Sequence, residues 1–140
     1  MKQLLLFVSV LTVMLISASC DGQENKKEVA LSSNSSHVNV YYFHFTRRCS
    51  TCLAVEENAR KAVEALYADK VKTGEYSFTA LNLDEANNKE IANKLGVGGQ
   101  TLIVVRGDKK IDMTDKGFMN AHDYEKMKEE IKSAVDKVLY

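Results

Sequence analysis

The residues with the most evident chemistry are Cys49 and Cys52, separated by Ser50 and Thr51 and preceded by Arg47 and Arg48. Cysteine is a nucleophile as its thiolate, and a spacing of two residues lets a pair of thiols close a small disulfide across the first turn of a helix. Where such a pair opens a helix, the unpaired backbone N–H groups and the positive end of the helix dipole favour an anion at the first sulfur. Arg47 and Arg48 push the same way and are expected to stabilise the thiolate. Cys49 is then the nucleophile that forms a mixed disulfide, and Cys52 the resolving thiol that breaks it.

Other uses of the pair are less well served. A structural zinc ion takes four ligands, and this chain offers one cysteine pair with His37, His44 and His122 as its only histidines, so no metal site is expected. An inert disulfide of so short a ring does little to restrict an unfolded chain. Capture of a soft thiophile, such as trivalent arsenic or monovalent copper, needs only two or three sulfurs and stays open. His44 reads as a packed strand residue, and Glu56 and Glu57 as solvated helix residues.

The elements that must position the pair can be read from pattern. Val38 to Phe45 is rich in β-branched and aromatic residues with little polar alternation, which suits a central strand covered on both faces. Leu53 to about Lys72 has Val55, Ala59, Val63 and Leu66 at helical spacing and no breaker until Gly74. Tyr76 to Leu83 reads as a second strand, and Asp84 to Leu95 as a second helix stopped by Gly96. Thr101 to Val105 and Lys110 to Met113 form a hairpin about Gly107-Asp108, and Ala121 to Leu139 is a terminal amphipathic helix. The order β-α-β-α-β-β-α makes an α/β domain with a mixed central sheet and helices on both faces, the first half a parallel βαβ unit. Gly96-Val97-Gly98-Gly99 precedes a strand and so cannot cradle a dinucleotide phosphate at a helix start.

The chain of 140 residues divides into three parts. Residues 1–19 read as a signal peptide: Lys2 is the only charge, Leu4 to Ile16 is apolar over about 13 residues where a membrane span needs roughly 20, and small residues follow. Cys20 then stands where a bacterial lipoprotein carries its lipid, although Ser17 replaces the usual leucine. Residues 20–36 form a polar, flexible tether, and 37–140 the folded domain. Removing Cys20 from the thiol count leaves Cys49 and Cys52 as an even pair. Lys plus Arg equals Asp plus Glu at 19 each, so no basic field exists to hold nucleic acid.

With this topology and motif placement, the domain resembles the thioredoxin superfamily. The run Val40 to Cys52, with Gly99-Gln100-Thr101-Leu102 and Lys116-Gly117-Phe118, is similar to the ArsF family of lipoproteins, labelled as subunits of a nitrophenyl-compound nitroreductase and associated with aromatic arsenical resistance. Two departures from thioredoxin stand out. The chain has no proline, so Gln100 takes the place of the cis-proline that faces the dithiol in thioredoxins. A cis bond there would cost about 2.5–4 kcal/mol, which predicts a trans bond and an altered substrate-docking edge at Gln100 and Thr101. The buried acid that assists thiol deprotonation also has no counterpart, Phe43 occupying its place in the sequence.

The resemblance implies a membrane-anchored, extracytoplasmic bacterial lipoprotein that carries two electrons on the Cys49–Cys52 disulfide and needs no further cofactor. Its donor would be a membrane thiol-transfer protein, and its acceptor an extracytoplasmic protein or a nitroaromatic reductase system. A nitro group takes six electrons on its way to an amine, so the chain is expected to supply electrons rather than perform that reduction alone. Two alternatives stand beside this one: a thiol-based binding protein for trivalent arsenicals or another thiophile, and a disulfide isomerase or cytochrome-maturation reductant.

Overall fold

The structure is a computed structural model and describes residues 36–140. The expected signal segment 1–19, Cys20 and, apart from Ser36, the tether lie outside the described residues.

Four strands form one sheet in the order β2-β1-β3-β4. Strand β1 (Val38–His44) is central, with β2 (Tyr76–Asn82) parallel on one side and β3 (Thr101–Arg106) antiparallel on the other. Strand β4 (Lys109–Asp112) completes the hairpin at the edge. The two faces of β1 explain its lack of polar alternation. Val38, Val40 and Tyr42 pack into a large cluster with Val55, Ala59 and Val63 of helix α1 (Ser50–Leu66) and Met127, Ile131 and Val135 of helix α5 (Tyr124–Leu139). Tyr41 and Phe43 point the other way, into a smaller cluster with Ile91 and Leu95 of helix α3 (Lys89–Leu95). Each fully buried aliphatic side chain contributes roughly 1.5–3 kcal/mol, so the core needs no covalent staple. Mixed sheet, strand order and helices on both faces make this the thioredoxin-like α/β fold anticipated from sequence.

The departures are local and have physical causes. The first helix does not run unbroken to Lys72: it ends at Leu66, and a short helix α2 (Ala68–Lys72) follows. Tyr67, between them, leaves helical geometry at φ −132°, and its ring lies 4.9 Å from that of Tyr76. The second helix is shorter than expected because Ala86–Asn88 forms a single 3₁₀ turn before α3. Gly96 does end α3, in the left-handed conformation at φ 74°. Helix α4 (Thr114–Met119) was not anticipated, and it carries Gly117, a poor helix former, in its middle. Its glycine is needed for close packing: a Cβ there would sit 2.8 Å from Leu102 Cδ2 and 3.8 Å from Val55 Cγ1. The terminal helix starts at Tyr124 rather than Ala121, capped by Asp123, whose carboxylate accepts from the Lys126 backbone N–H at 3.0 Å.

Candidate functional site

Strand β1 ends at His44, and the chain then turns through Phe45, Thr46, Arg47 and Arg48 into α1. This turn is tied to the end of the neighbouring strand β2. The Thr46 backbone N–H donates to Asp84 Oδ2 at 2.8 Å, and Asn82 Nδ2 donates to Thr46 Oγ1 at 2.9 Å. The Thr46 N–H also holds the Asp84 carboxyl below its usual range. His44 is buried, and its Nδ1 donates to the Phe45 carbonyl at 2.9 Å, so it serves the turn as a packed residue.

Cys49 is the N-cap of α1, at φ −85° and ψ 171°. The sulfur is exposed, whereas that of Cys52, one turn into the helix, is buried. The two thiols are unbonded to each other and 2.9 Å apart. Cys49 is lowered from the ordinary thiol value, first by a hydrogen bond from Cys52 and then by backbone N–H groups of the opening turn at Cys52 and Thr51. The fold thus places an acidified, accessible sulfur over a shielded one.

The arginines are placed differently from each other. Arg47 is exposed, while Arg48 donates to Glu56 in a half-buried ion pair, and Glu56 also accepts from Arg60 at 2.7 Å. The guanidinium of Arg48 is thus engaged by a carboxylate within α1, and the lowering of Cys49 is carried by Cys52 and the helix start. Glu57, by contrast, is solvated and paired with Lys61 at 2.7 Å.

Gln100 lies immediately before β3 and donates from Nε2 to Cys52 Sγ at 3.3 Å. All peptide bonds in the described residues are trans, including that at Gln100. Thr101 donates its hydroxyl to the Gly99 carbonyl at 3.0 Å, which stiffens this edge beside the dithiol. The structure therefore brings together Cys49, Cys52 and Gln100, with Thr101 one residue away. Cys20 lies outside the described residues.

One residue near the site had no signal in the sequence. Tyr42 is fully buried on the face of β1 that packs against α1, while Phe43 points into the opposite cluster. The Tyr42 hydroxyl is buried without a full hydrogen bond; Cys52 approaches it as an acceptor, and the charges of Arg48 and Glu56 are felt there. Burial raises this phenol far above its ordinary value, with Cys52 the next contributor. A strand covered on both faces gives no clue as to which neighbour underlies a cysteine that is ten residues further along the chain. Among the described residues, no group of three or more His, Cys, Asp or Glu is arranged to hold a metal ion, and no helix is long and apolar enough to cross a membrane.

Among solved structures, the chain is similar to a thioredoxin. The X-ray structure of Fasciola hepatica thioredoxin is 23% identical, with 72% of this chain and 84% of that chain covered at a TM-score of 0.41. No protein-family model and no curated protein sequence matches the chain. Strand order and layering establish the fold independently, and the sulfur geometry defines what the site can do. An exposed, acidified thiol can attack a disulfide, and a second thiol within 3 Å can resolve the product.

Proposed function

We propose that this protein is a thiol–disulfide oxidoreductase in which Cys49 and Cys52 carry two electrons. The observation that carries this reading is the asymmetric pair: Cys49 exposed and lowered at the start of α1, Cys52 buried, sulfurs 2.9 Å apart. In the reducing direction the Cys49 thiolate attacks an acceptor disulfide, bonds to one of its sulfurs and expels the other as a thiolate. The Cys52 sulfur then loses its proton and attacks Cys49 Sγ, which breaks the mixed disulfide and releases the second acceptor thiolate. Two electrons pass to the acceptor, the protons follow to its thiols, and a Cys49–Cys52 disulfide is left.

Within this reading, the protein is an extracytoplasmic carrier held to a membrane by lipid on Cys20, recharged by a membrane thiol-transfer protein. Its acceptor is a protein disulfide or a nitroaromatic reductase system, as the likeness of Val40 to Cys52 to the ArsF lipoproteins implies. Exposed Phe45 and Leu53, close in sequence on either side of the dithiol, offer apolar surface to a protein partner. Capture of a thiophile is the weaker reading, because Cys52 is buried and already accepts from Gln100, whereas chelation needs both sulfurs accessible.

Trapping tests the proposal. A Cys52→Ser chain cannot resolve, so in cells it accumulates mixed disulfides through Cys49, identified by mass spectrometry and absent from the Cys49→Ser, Cys52→Ser double variant. A Cys52→Ser chain that gathers no mixed disulfide, together with a tight one-to-one adduct of the reduced wild type with phenylarsenite, would favour capture instead.

A further inference from the structure

Two polar groups from different parts of the sheet lie on the side of Cys52 that faces the core. Gln100 Nε2 reaches the Cys52 sulfur at 3.3 Å from the loop before β3. Tyr42 comes from the central strand, where it pairs with Leu102, two residues beyond Gln100, and faces the buried side of α1 that includes Cys52 and Val55. Its hydroxyl is sealed from water and makes no full hydrogen bond, Cys52 being the neighbour that approaches it as an acceptor. A thiol is a weak acceptor, but a thiolate is a strong one. The acceptor that would satisfy Tyr42 therefore forms when Cys52 ionises.

We propose that the Tyr42 hydroxyl and the Gln100 amide are paired hydrogen-bond donors to the Cys52 sulfur, holding it as a thiolate when it leaves the disulfide or attacks a mixed one. This rests on the redox reading of the dithiol and identifies the groups that tune its buried half. The charged and titratable groups gathered here are Cys49 and Glu56 on the same helix, Arg48 before it, and Tyr42, against whose ring His44 lies at 5.9 Å. Arg48 shares the Glu56 carboxylate with Arg60, so its charge is partly offset, and the two uncharged donors are the groups aimed at Cys52 itself. Stabilising the thiolate stabilises the reduced state, so the donors make the couple more oxidising. They occupy the role that a buried acid would otherwise fill, without adding a negative charge beside the sulfur.

The test uses the full chain with Cys20→Ser, so that one thiol is followed at a time. In a Cys49→Ser background, the pH dependence of Cys52 alkylation is measured by mass spectrometry for Tyr42, Tyr42→Phe and Gln100→Leu forms. Each substitution is expected to move the midpoint upward by about one unit, a tenfold change in thiolate population. With both cysteines present, and well above the variant's midpoint, each lowers the potential against glutathione buffers by about 30 mV, the equivalent of that tenfold change. Tyr42→Phe removes only the hydroxyl and keeps the buried ring, so a merely structural residue would leave both readings unmoved. A profile superimposed on wild type overturns the Tyr42 assignment in Tyr42→Phe, and the Gln100 assignment in Gln100→Leu. Absence of any Cys49–Cys52 couple in wild type would instead count against the redox reading, while the Cys52 alkylation profile would still judge the donors.

Discussion

Glu56 holds Arg48 in an ion pair on the helix that begins at the dithiol, and it draws in Arg60 from the following turn as well. The charge that precedes Cys49 is thereby balanced within its own helix, and the thiol is acidified by its neighbours in the first turn. Replacing the carboxylate releases positive charge beside the sulfurs. Glu56→Gln is expected to raise the rate of Cys49 alkylation at neutral pH by about threefold, the equivalent of half a unit, and to cost about 1 kcal/mol of stability. A stopped-flow alkylation series with a urea titration checks both effects.

The hydrogen bond from Cys52 is the first cause of the lowered Cys49 value. Wild-type Cys49 therefore alkylates with a midpoint below the free thiol's value of about 8.5. Cys52→Ala removes that donor and moves the midpoint upward, leaving the backbone N–H groups of the helix start to supply what remains of the shift. Rates followed by mass spectrometry across neutral to alkaline pH give the comparison.

Alkaline pH attacks the buried face of the sheet. Tyr41, 2% exposed, is pushed up to about 12 by burial, while in the unfolded chain it ionises near 10. The folded state thus keeps a proton that the unfolded state has lost, and stability falls as pH rises from about 10 to about 12, by about 2–3 kcal/mol from this residue. Tyr42 and Tyr67 shift in the same direction. Urea midpoints at about pH 9 and about pH 11 are expected to separate, and Tyr41→Phe to narrow the gap.

Gly96 ends α3 at φ 74°, and a Cβ there would meet nothing within 4 Å. Gly96→Ala should therefore cost backbone strain alone, about 1–2 kcal/mol. The urea midpoint falls with an unchanged slope, and the alkylation midpoint of Cys49 stays where it was.

The architecture was legible because β1 and its flanking helices obey their periodicities. The run Val38 to Phe43, apolar and aromatic but for Asn39, required cover on both faces, and α3 and the α1–α5 pair provide it. The dithiol was legible for a similar reason: its spacing is local, and its chemistry depends on a helix start that pattern alone locates. What pattern missed depends on contacts far apart in sequence. Gly117 is a poor helix former until Leu102 is seen against it. Tyr67 sits at helical spacing, yet the helix ends there, with its ring against that of Tyr76. Asp84 reads as a helix start and serves the turn before Cys49 instead. Tyr42 and Phe43 differ only in which face they occupy, and a single residue of register decides which of them lies beneath Cys52.

The most direct measurement is a redox equilibrium of the chain carrying Cys20→Ser in graded glutathione buffers, quenched with an alkylating reagent and read by mass spectrometry. The account predicts one reversible two-electron transition between a doubly alkylated species and an unalkylated one linked through Cys49 and Cys52. Thiols that stay reduced under oxidising buffer, or that carry only glutathione without closing on each other, would contradict it.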